Sequence, residues 1–238
     1  MPQIIEPLLL ALMAGAAIPL GGWIACIERL RPRWLEQELR HSVIAFGGGV
    51  LLAAIAFVLV PQGTEALAPG WALLAMGAGG VAFLFLDRWA NTRLGQVGQL
   101  LAMLADFLPE AVALGALLAS GSPSGFLLAL LIALQNLPEG FNAWRELAAS
   151  GRLSRRGMFA LFWAFAALGP LAAVAGHVWL SDRPGATGAI MLFAAGGILY
   201  LIFQDIAPQT PLRRHWGPPL GAVAGFMAGL AGHLALGG

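Results

Sequence analysis

Lysine is missing from this 238-residue chain, whose 13 basic residues are all arginine, and cysteine occurs only once. Without lysine the chain cannot contain a P-loop lysine or form a Schiff base with a carbonyl substrate. The lone Cys26 excludes an internal disulfide and a metal site built from several cysteines. The net charge of +1 gives no bulk attraction to nucleic acid, so we expect no nucleic-acid partner.

Charge is also scarce, at 11% of residues, whereas hydrophobic residues make up 59%. Soluble domains carry about 25% charged residues, and they cannot bury this much apolar surface. The lipid bilayer is therefore the expected surroundings of the chain. The N-terminal run carries an acidic residue, Glu6, and no basic one before its apolar part, which favours a first membrane span over a cleaved signal peptide.

Eight apolar segments have the length of roughly 20 residues that a membrane-spanning helix requires. The turns between them are rich in Pro, Gly and Ser and are too short for a second domain, so we predict one transmembrane domain over residues 1–238. The predicted spans are approximately 4–27, 43–61, 70–87, 98–119, 124–147, 157–180, 187–207 and 217–236. The predicted fold class is an all-α polytopic membrane protein.

Arginines alternate between the predicted loops, and all but Arg183 fall on one side of the membrane. Cytoplasmic loops carry the excess of basic residues, so both termini are predicted to be extracytoplasmic in a multi-pass protein of the inner or plasma membrane. The arginines on the predicted cytoplasmic side are Arg29, Arg31, Arg33, Arg40, Arg88, Arg93, Arg145, Arg152, Arg155, Arg156, Arg213 and Arg214.

An internal repeat links predicted helices 2 and 7. "FGGGVLLAAIAFVLVPQ" from Phe46 and "FAAGGILYLIFQDIAPQ" from Phe193 share Phe, Gly and a terminal Pro-Gln at an offset of 147 residues. Helices 4 and 5 share a Leu-Pro-Glu phrase. Paired helices whose numbers sum to nine cross the membrane in opposite directions, which indicates a 3+2+3 inverted repeat typical of secondary transporters. Chance similarity of Gly-rich apolar helices is the alternative.

The two Leu-Pro-Glu phrases place carboxylates inside predicted spans. Asp106 and Glu110 are four residues apart and share a helix face, and Gln135 and Glu139 have the same spacing. The proline in each phrase also leaves one backbone carbonyl without its usual donor. Oxygen groups this concentrated require a divalent cation or shared protons, and an intramembrane carboxylate is a functional candidate because it costs about 2.5 kcal/mol or more.

Helix 5 continues this pattern as a polar stripe towards its predicted cytoplasmic end. Gln135, Glu139, Asn142 and Glu146 recur at steps of four, three and four residues. On helix 4 the face beyond Glu110 is apolar, with Ala113, Leu114 and Leu117. We therefore expect a site connected to the cytoplasm and covered towards the outside. The alternative is that the carboxyl groups are protonated and hold two helices together.

The pair "DFLPEAVALGA" and "ALQNLPEGFNA" resembles helices 4 and 5 of the ZIP family of divalent metal transporters, in which His-Asn-x-Pro-Glu-Gly phrases supply metal ligands. The resemblance implies eight helices in a 3+2+3 inverted repeat and transport of zinc, iron, manganese or cadmium towards the cytoplasm. It implies that Asp106, Glu110, Gln135 and Glu139 form the primary metal site, with Asp106 at a position usually held by His.

The chain also departs from this family pattern. A second metal site would use the positions of Phe107, Asn136 and Gly169, and only Asn136 offers an oxygen. We therefore predict one metal site. Asp106 in place of an imidazole should weaken the preference for zinc relative to manganese or iron(II).

Other interpretations stay open at this point. Asp205, near the end of helix 7, is more often a solvated residue in such a position, but it is a candidate pathway ligand together with Asn136, Asn142 and Glu146. A membrane protein of the same fold that senses metal without transporting it is one alternative, and an intramembrane hydrolase is another. Asp106 and Asp205 lack the Gly-x-Gly-Asp context of a membrane aspartyl protease. We expect no enzyme activity and no cofactor. The expected partners are a divalent metal ion as substrate and the bilayer, with a homodimer as one option for the assembly.

Overall fold

The structure, a computed structural model, describes residues 2–27, 33–93, 98–210 and 216–236. This described part is helical and contains no strand. We number its helices α1 to α8, and two of them, α2 and α7, contain an internal π-helical segment. The helices are α1 (Pro2–Ile27), α2 (Arg33–Ala54, π-helix Ile55–Leu59, Val60–Ala66), α3 (Pro69–Arg93), α4 (Gly98–Ala119), α5 (Ser124–Ser150), α6 (Arg155–Leu180), α7 (Pro184–Leu201, π-helix Ile202–Ile206, Ala207–Gln209) and α8 (Gly217–Ala235).

Six of these helices are long and apolar enough to span a membrane, as expected for a multi-pass membrane protein. They are Ile4–Ile27, Gln37–Ala66, Pro69–Ala90, Ser124–Ser150, Arg155–Leu180 and Pro184–Ile206. These segments correspond to predicted spans 1, 2, 3, 5, 6 and 7, whereas membrane crossing by α4 and α8 stays a prediction. Arg29, Arg31, Arg213 and Arg214 of the predicted arginine alternation lie outside the described residues.

The predicted end of span 2 at Pro61 is wrong as a helix end, because α2 continues to Ala66. The sequence suggested a turn from Pro61 onwards. In the structure the chain leaves the helix at Leu67, where φ is −130° and ψ is 143°. Proline is tolerated near the start of a helical turn, where a backbone N–H has no obligatory partner. Pro61 occupies such a position, directly after the π-helical segment.

The two π-helical segments were not predicted, and they fall at equivalent places in the sequence repeat. Ile55–Leu59 and Ile202–Ile206 are separated by the same offset of 147 residues that aligns Phe46 with Phe193. In each segment a backbone N–H reaches back five residues, from Val60 in α2 and from Ala207 in α7. A proline follows at the next position in both helices. The proline ring displaces the carbonyl four residues earlier, and a π turn accommodates that displacement.

Two helices, α4 and α5, form the centre of the bundle, and the others pack around them. The central pair, α4 and α5, packs against α1, α2, α6 and α7, while α3 packs mainly on α7 and α8 mainly on α2. Exposed apolar side chains cover α3, where Leu73 is 73% exposed. Lipid is the physically suitable environment for that surface. The packing therefore buries the polar residues of α4 and α5 in the centre of the bundle.

Small residues bring the packed helices into close contact. A Cβ atom at Gly49 on α2 would collide with the carbonyl oxygen of Ala222 on α8, and Gly225 on α8 meets the carbonyl of Phe46 in the same way. On the other side of the bundle, Gly196 on α7 meets the carbonyl of Met76 on α3. Contacts of this kind are how membrane helices approach each other without a hydrophobic driving force.

Candidate metal site between α4 and α5

The centre of the site is a direct hydrogen bond between the two middle helices. Nε2 of Gln135 on α5 donates to Oε2 of Glu110 on α4 at 2.5 Å, and both side chains are fully buried. The short connection after Ala119 folds α5 back antiparallel to α4. We call Glu110 and Gln135 the deep pair.

Several buried oxygens around the deep pair have no hydrogen-bond donor. Oε1 of Glu110, Oε1 of Gln135, Oδ1 of Asn136 and Oε2 of Glu139 are all buried and unpartnered. Burying a polar atom without a partner costs about 1–3 kcal/mol, and more when the group is charged. As ionised carboxylates and amide oxygens these atoms accept hydrogen bonds, so a cation or a shared proton is the kind of group that would satisfy them.

Asp106 and Glu139 lie one helical turn from the deep pair, on the same side of it. Asp106 precedes Glu110 by one turn and Glu139 follows Gln135 by one turn, so the antiparallel helices bring them to the same depth. The side chains of Asp106 and Glu139 line the same cavity. Oδ1 of Asp106 accepts the Phe107 N–H at 2.9 Å. Asp106 is 2% exposed and Glu139 is partly buried.

A cavity reaches these two carboxylates from one end of the bundle. The volume of the cavity is about 60 Å³, and one water molecule requires roughly 10–15 Å³ of such volume. A cation with a few waters therefore fits. The cavity is lined by residues of α2, α4, α5 and α7, namely Ile44, Gly47, Leu51, Met103, Asp106, Pro138, Glu139, Asn142, Ala143, Leu201, Asp205 and Ile206.

The opposite face of the deep pair is apolar. Leu114 follows Glu110 by one turn, Leu131 precedes Gln135 by one turn, and both leucines are fully buried. Val58 and Leu59 of α2 and Ile198 of α7 belong to the same buried apolar cluster. The polar cavity and the apolar cover thus lie on opposite sides of the deep pair, in the order that the sequence predicted.

The polar stripe of α5 ends in a network that sequence reasoning did not identify. Nε and Nη2 of Arg40 on α2 donate to Oδ1 of Asn142 at 3.2 and 3.1 Å, and Nδ2 of Asn142 donates to Oε1 of Glu146 at 3.2 Å. Arg40 also forms an ion pair with Glu146, at 3.6 Å. The sequence assigned Arg40 only to the cytoplasmic charge excess. The sequence feature that could have identified Arg40 is its position one turn before Ile44, a cavity-lining residue on the same face of α2.

The predicted second-site positions lie close together but are filled by an aromatic ring. Phe107 is 1% exposed, and a Cβ atom at Gly169 would collide with its ring. Asn136 uses its Nδ2 to donate to the carbonyl of Ala14 on α1 at 3.0 Å. Phe107 and Gly169 therefore fit each other as a large and a small residue, and Asn136 keeps one unpartnered side-chain oxygen.

Asp205 lies in the π-helical segment of α7 and faces the same cavity as Asp106 and Glu139. It is partly buried rather than fully solvated. The electrostatic influence of Asp87 on α3 and of Glu146 on α5 extends to it. The candidate pathway residues Asn142 and Asp205 thus line one cavity, with Glu146 at its end.

The Leu-Pro-Glu phrases of α4 and α5 are not structurally equivalent. Gly115 on α4 contacts the carbonyl of Ala173 on α6, and Gly140 on α5 contacts the carbonyl of Ile18 on α1 in the same way. Glu110 precedes Gly115 by five residues, and Gln135 precedes Gly140 by five. By this packing, Glu110 occupies the position on α4 that Gln135 occupies on α5. The shared phrase instead suggested that Glu110 corresponds to Glu139, one turn further along α5.

Within the described residues, no three His, Cys, Asp or Glu side chains form a cluster that could hold a metal ion by themselves. Comparisons with known proteins add no assignment, because no protein-family model and no curated protein matches the chain.

Proposed function

We propose that this protein transports a divalent transition metal, such as zinc, iron, manganese or cadmium, through the site between α4 and α5. The proposed ligands are Asp106, Glu110, Gln135 and Glu139, and the metal is the transported substrate. The proposal follows the resemblance of these phrases to the ZIP family. It includes membrane crossing by α4 and α8, which gives eight spans in total.

The observation that carries the proposal is the set of four buried acceptor oxygens without donors, on Glu110, Gln135, Asn136 and Glu139. The competing explanation, in which protonated carboxyl groups hold the helices together, requires donor–acceptor pairs. The pair Gln135 to Glu110 joins α4 and α5 in this way, but it leaves the four oxygens without a donor. A hard or borderline cation prefers oxygen ligands of this kind.

An inverted repeat is part of the proposal, and two observations support it. The π-helical segments of α2 and α7 coincide at the repeat offset. The helix contacts also map onto themselves when α1 is exchanged with α6, α2 with α7, α3 with α8 and α4 with α5: α2–α8 becomes α7–α3, and α1–α5 becomes α6–α4. The proposed pairing keeps helices 2 with 7 and 4 with 5, as the sequence suggested, but matches 1 with 6 and 3 with 8 in place of 1 with 8 and 3 with 6.

The direction of transport rests on the arginine distribution. The cavity extends from Asp106 and Glu139 towards the end of the bundle where α2 begins, near Arg40. The positive-inside rule makes that end cytoplasmic. The proposed route therefore leads from the site along Asn142, Asp205 and Glu146 to the cytoplasm, and the apolar cover faces the outside.

Reconstitution into liposomes tests the proposal. We expect time-dependent uptake of Mn²⁺, Fe²⁺, Zn²⁺ or Cd²⁺ by the wild type and loss of most uptake in Glu139→Gln and Glu110→Gln. Glu65→Gln is the matched control, because Glu65 is an exposed acid outside this cavity. Tight metal binding without uptake by any of these proteins would favour the metal-sensing alternative.

One observation favours a second candidate, an intramembrane hydrolase: Asp106 and Asp205 line the same cavity. Two facing aspartates are the minimum for such chemistry. The hydrolase interpretation requires both aspartates and gives Glu110 no role. Uptake that Glu110→Gln abolishes supports transport, whereas hydrolysis of a membrane-peptide substrate that Asp106→Asn and Asp205→Asn each abolish would support the hydrolase.

A further inference from the structure

Arg40 connects α2 to the end of the polar stripe on α5. Its guanidinium donates twice to Oδ1 of Asn142 and pairs with Glu146, while the amide of Asn142 donates to the same Glu146 oxygen. These three side chains thus form a closed triangle. Both charged members are only about one-third exposed, with side-chain accessibilities of 32% and 28%.

The triangle borders the cavity that Asp106 and Glu139 line. Asn142 is a lining residue of that cavity, and Arg40 is one turn before another lining residue, Ile44. The contacts join α2 and α5, and both of these helices line the cavity.

The triangle also fixes the chemistry of Asn142. Its only oxygen is directed to Arg40 and its amide nitrogen to Glu146. In this arrangement Asn142 offers no free lone-pair direction of the kind that a metal ligand in the cavity would need. A divalent cation that approaches Glu146 repels the guanidinium, and two positive groups at close range in a partly buried mouth are strongly unfavourable.

We propose that Arg40 is a positioning residue that closes the cytoplasmic mouth of the cavity by holding Asn142 and Glu146 across α2 and α5. The closure depends on the contacts just described, and its assignment to the cytoplasmic side depends on the arginine distribution. The identity of the group that displaces Arg40, a divalent metal leaving the site, rests on the proposed function. Arginine suits this role because its planar fork makes two bonds at once, which lysine cannot reproduce.

Thiol accessibility tests the closure without any metal. Cys26→Ser removes the single cysteine, and Ile44→Cys then places a reporter on the cavity wall beyond the triangle. Inside-out membrane vesicles are treated with N-ethylmaleimide, a neutral reagent whose approach does not depend on the charge of position 40. We expect Arg40→Gln in this background to raise the labelling rate about tenfold. At about 1.4 kcal/mol per tenfold, this matches the loss of a charge-assisted hydrogen bond.

Three variants control this measurement. Arg152→Gln removes an exposed arginine in the turn after α5, and we expect no change in labelling. Arg40→Lys keeps the positive charge but loses the planar guanidinium group, so its labelling rate should lie between those of wild type and Arg40→Gln. Asn142→Ala removes the oxygen that Arg40 holds, and combining it with Arg40→Gln should add little, because both changes open the same contact.

Equal labelling rates in Arg40→Gln, Asn142→Ala and Arg152→Gln would overturn the closure. If Arg40→Gln does not fold, as judged by gel filtration in detergent, Arg40→Lys and Asn142→Ala decide the question by themselves. Metal uptake is measured separately on the same proteins with the native Ile44. Faster labelling in a protein that takes up no metal would keep the closure and remove the proposed function, so the two failures are distinguishable.

Discussion

The ring of Phe107 on α4 lies against Gly169 on α6, so closely that a side chain at position 169 would collide with it. A bulky ring and a missing side chain thus complement each other beside the candidate metal site. Because the ring has no lone pair and fills this volume, the relationship leads to our expectation of one bound metal per chain.

Gly169→Glu should lower stability by about 1–3 kcal/mol, the usual cost of overpacking a filled core. Adding Phe107→Asn should recover much of this loss, because it frees the volume and supplies an amide partner. Tryptophan fluorescence during thermal unfolding in detergent measures both effects. Elemental analysis should count one metal in the wild type and two in the double variant. Two tightly bound metals in the wild type would contradict this interpretation of Phe107.

Glu139→Gln should change stability in opposite directions with and without metal. In chelator the variant should be more stable than wild type, because the amide removes the repulsion of Glu139 with Asp106 and Glu110 and adds donors to a region of unpartnered oxygens. With Mn²⁺ or Zn²⁺ it should lose the stabilisation that binding gives.

Metal affinity measured by calorimetry should fall at least about tenfold in Glu139→Gln and in Glu110→Gln, or about 1.4 kcal/mol. Gln135→Ala should have a smaller effect, since a neutral ligand is lost. If instead Glu139→Gln lowers stability in chelator and leaves affinity intact, the carboxyl groups hold the helices together rather than a metal.

Asp106→His should shift selectivity towards zinc. Imidazole favours the later first-row metals, whereas carboxylate discriminates less among them. A competition assay with Mn²⁺ and Zn²⁺ on wild type and variant measures the ratio, with Glu65→His as a control outside the cavity. A wild type that already prefers zinc strongly, and that does not respond to Asp106→His, would exclude Asp106 as a ligand.

Both termini should be accessible from outside intact cells. The arginine distribution predicts this orientation. Epitope tags at either end should react with antibody before permeabilisation, and a tag inserted after Gly151, in the turn between α5 and α6, should react only after it. The reverse pattern would also reverse the proposed direction of transport.

Gly49→Ala and Gly196→Ala should each destabilise the protein, by about 1–3 kcal/mol, because each added methyl group meets a backbone carbonyl of a neighbouring helix. Gly77→Ala on α3 is the matched control, since nothing lies within 4 Å of its added Cβ. Similar losses at Gly49 and Gly196 would support their equivalence in the proposed inverted repeat. Neutral substitutions at both positions would contradict the close packing.

The sequence alone was sufficient for features that depend on local composition. Hydropathy located the six helices that are long enough to span a membrane, because a bilayer of fixed thickness imposes a minimum apolar length. The four-residue spacing placed Asp106 with Glu110 and Gln135 with Glu139 on common helix faces, since the helical period is fixed. The apolar cover on the far side of Glu110 followed from the same period.

Only the tertiary structure decided which residues of α4 correspond to which residues of α5. The shared Leu-Pro-Glu phrase suggested that Glu110 corresponds to Glu139, but the contacts of Gly115 and Gly140 with neighbouring carbonyls pair Glu110 with Gln135. Register between packed helices depends on which small residues admit a neighbouring backbone, and a short motif carries no information about that neighbour. For the same reason the sequence assigned Arg40 to loop charge: its hydrogen-bond partner Asn142 on α5 is 102 residues away along the chain, and only helix packing brings the two together.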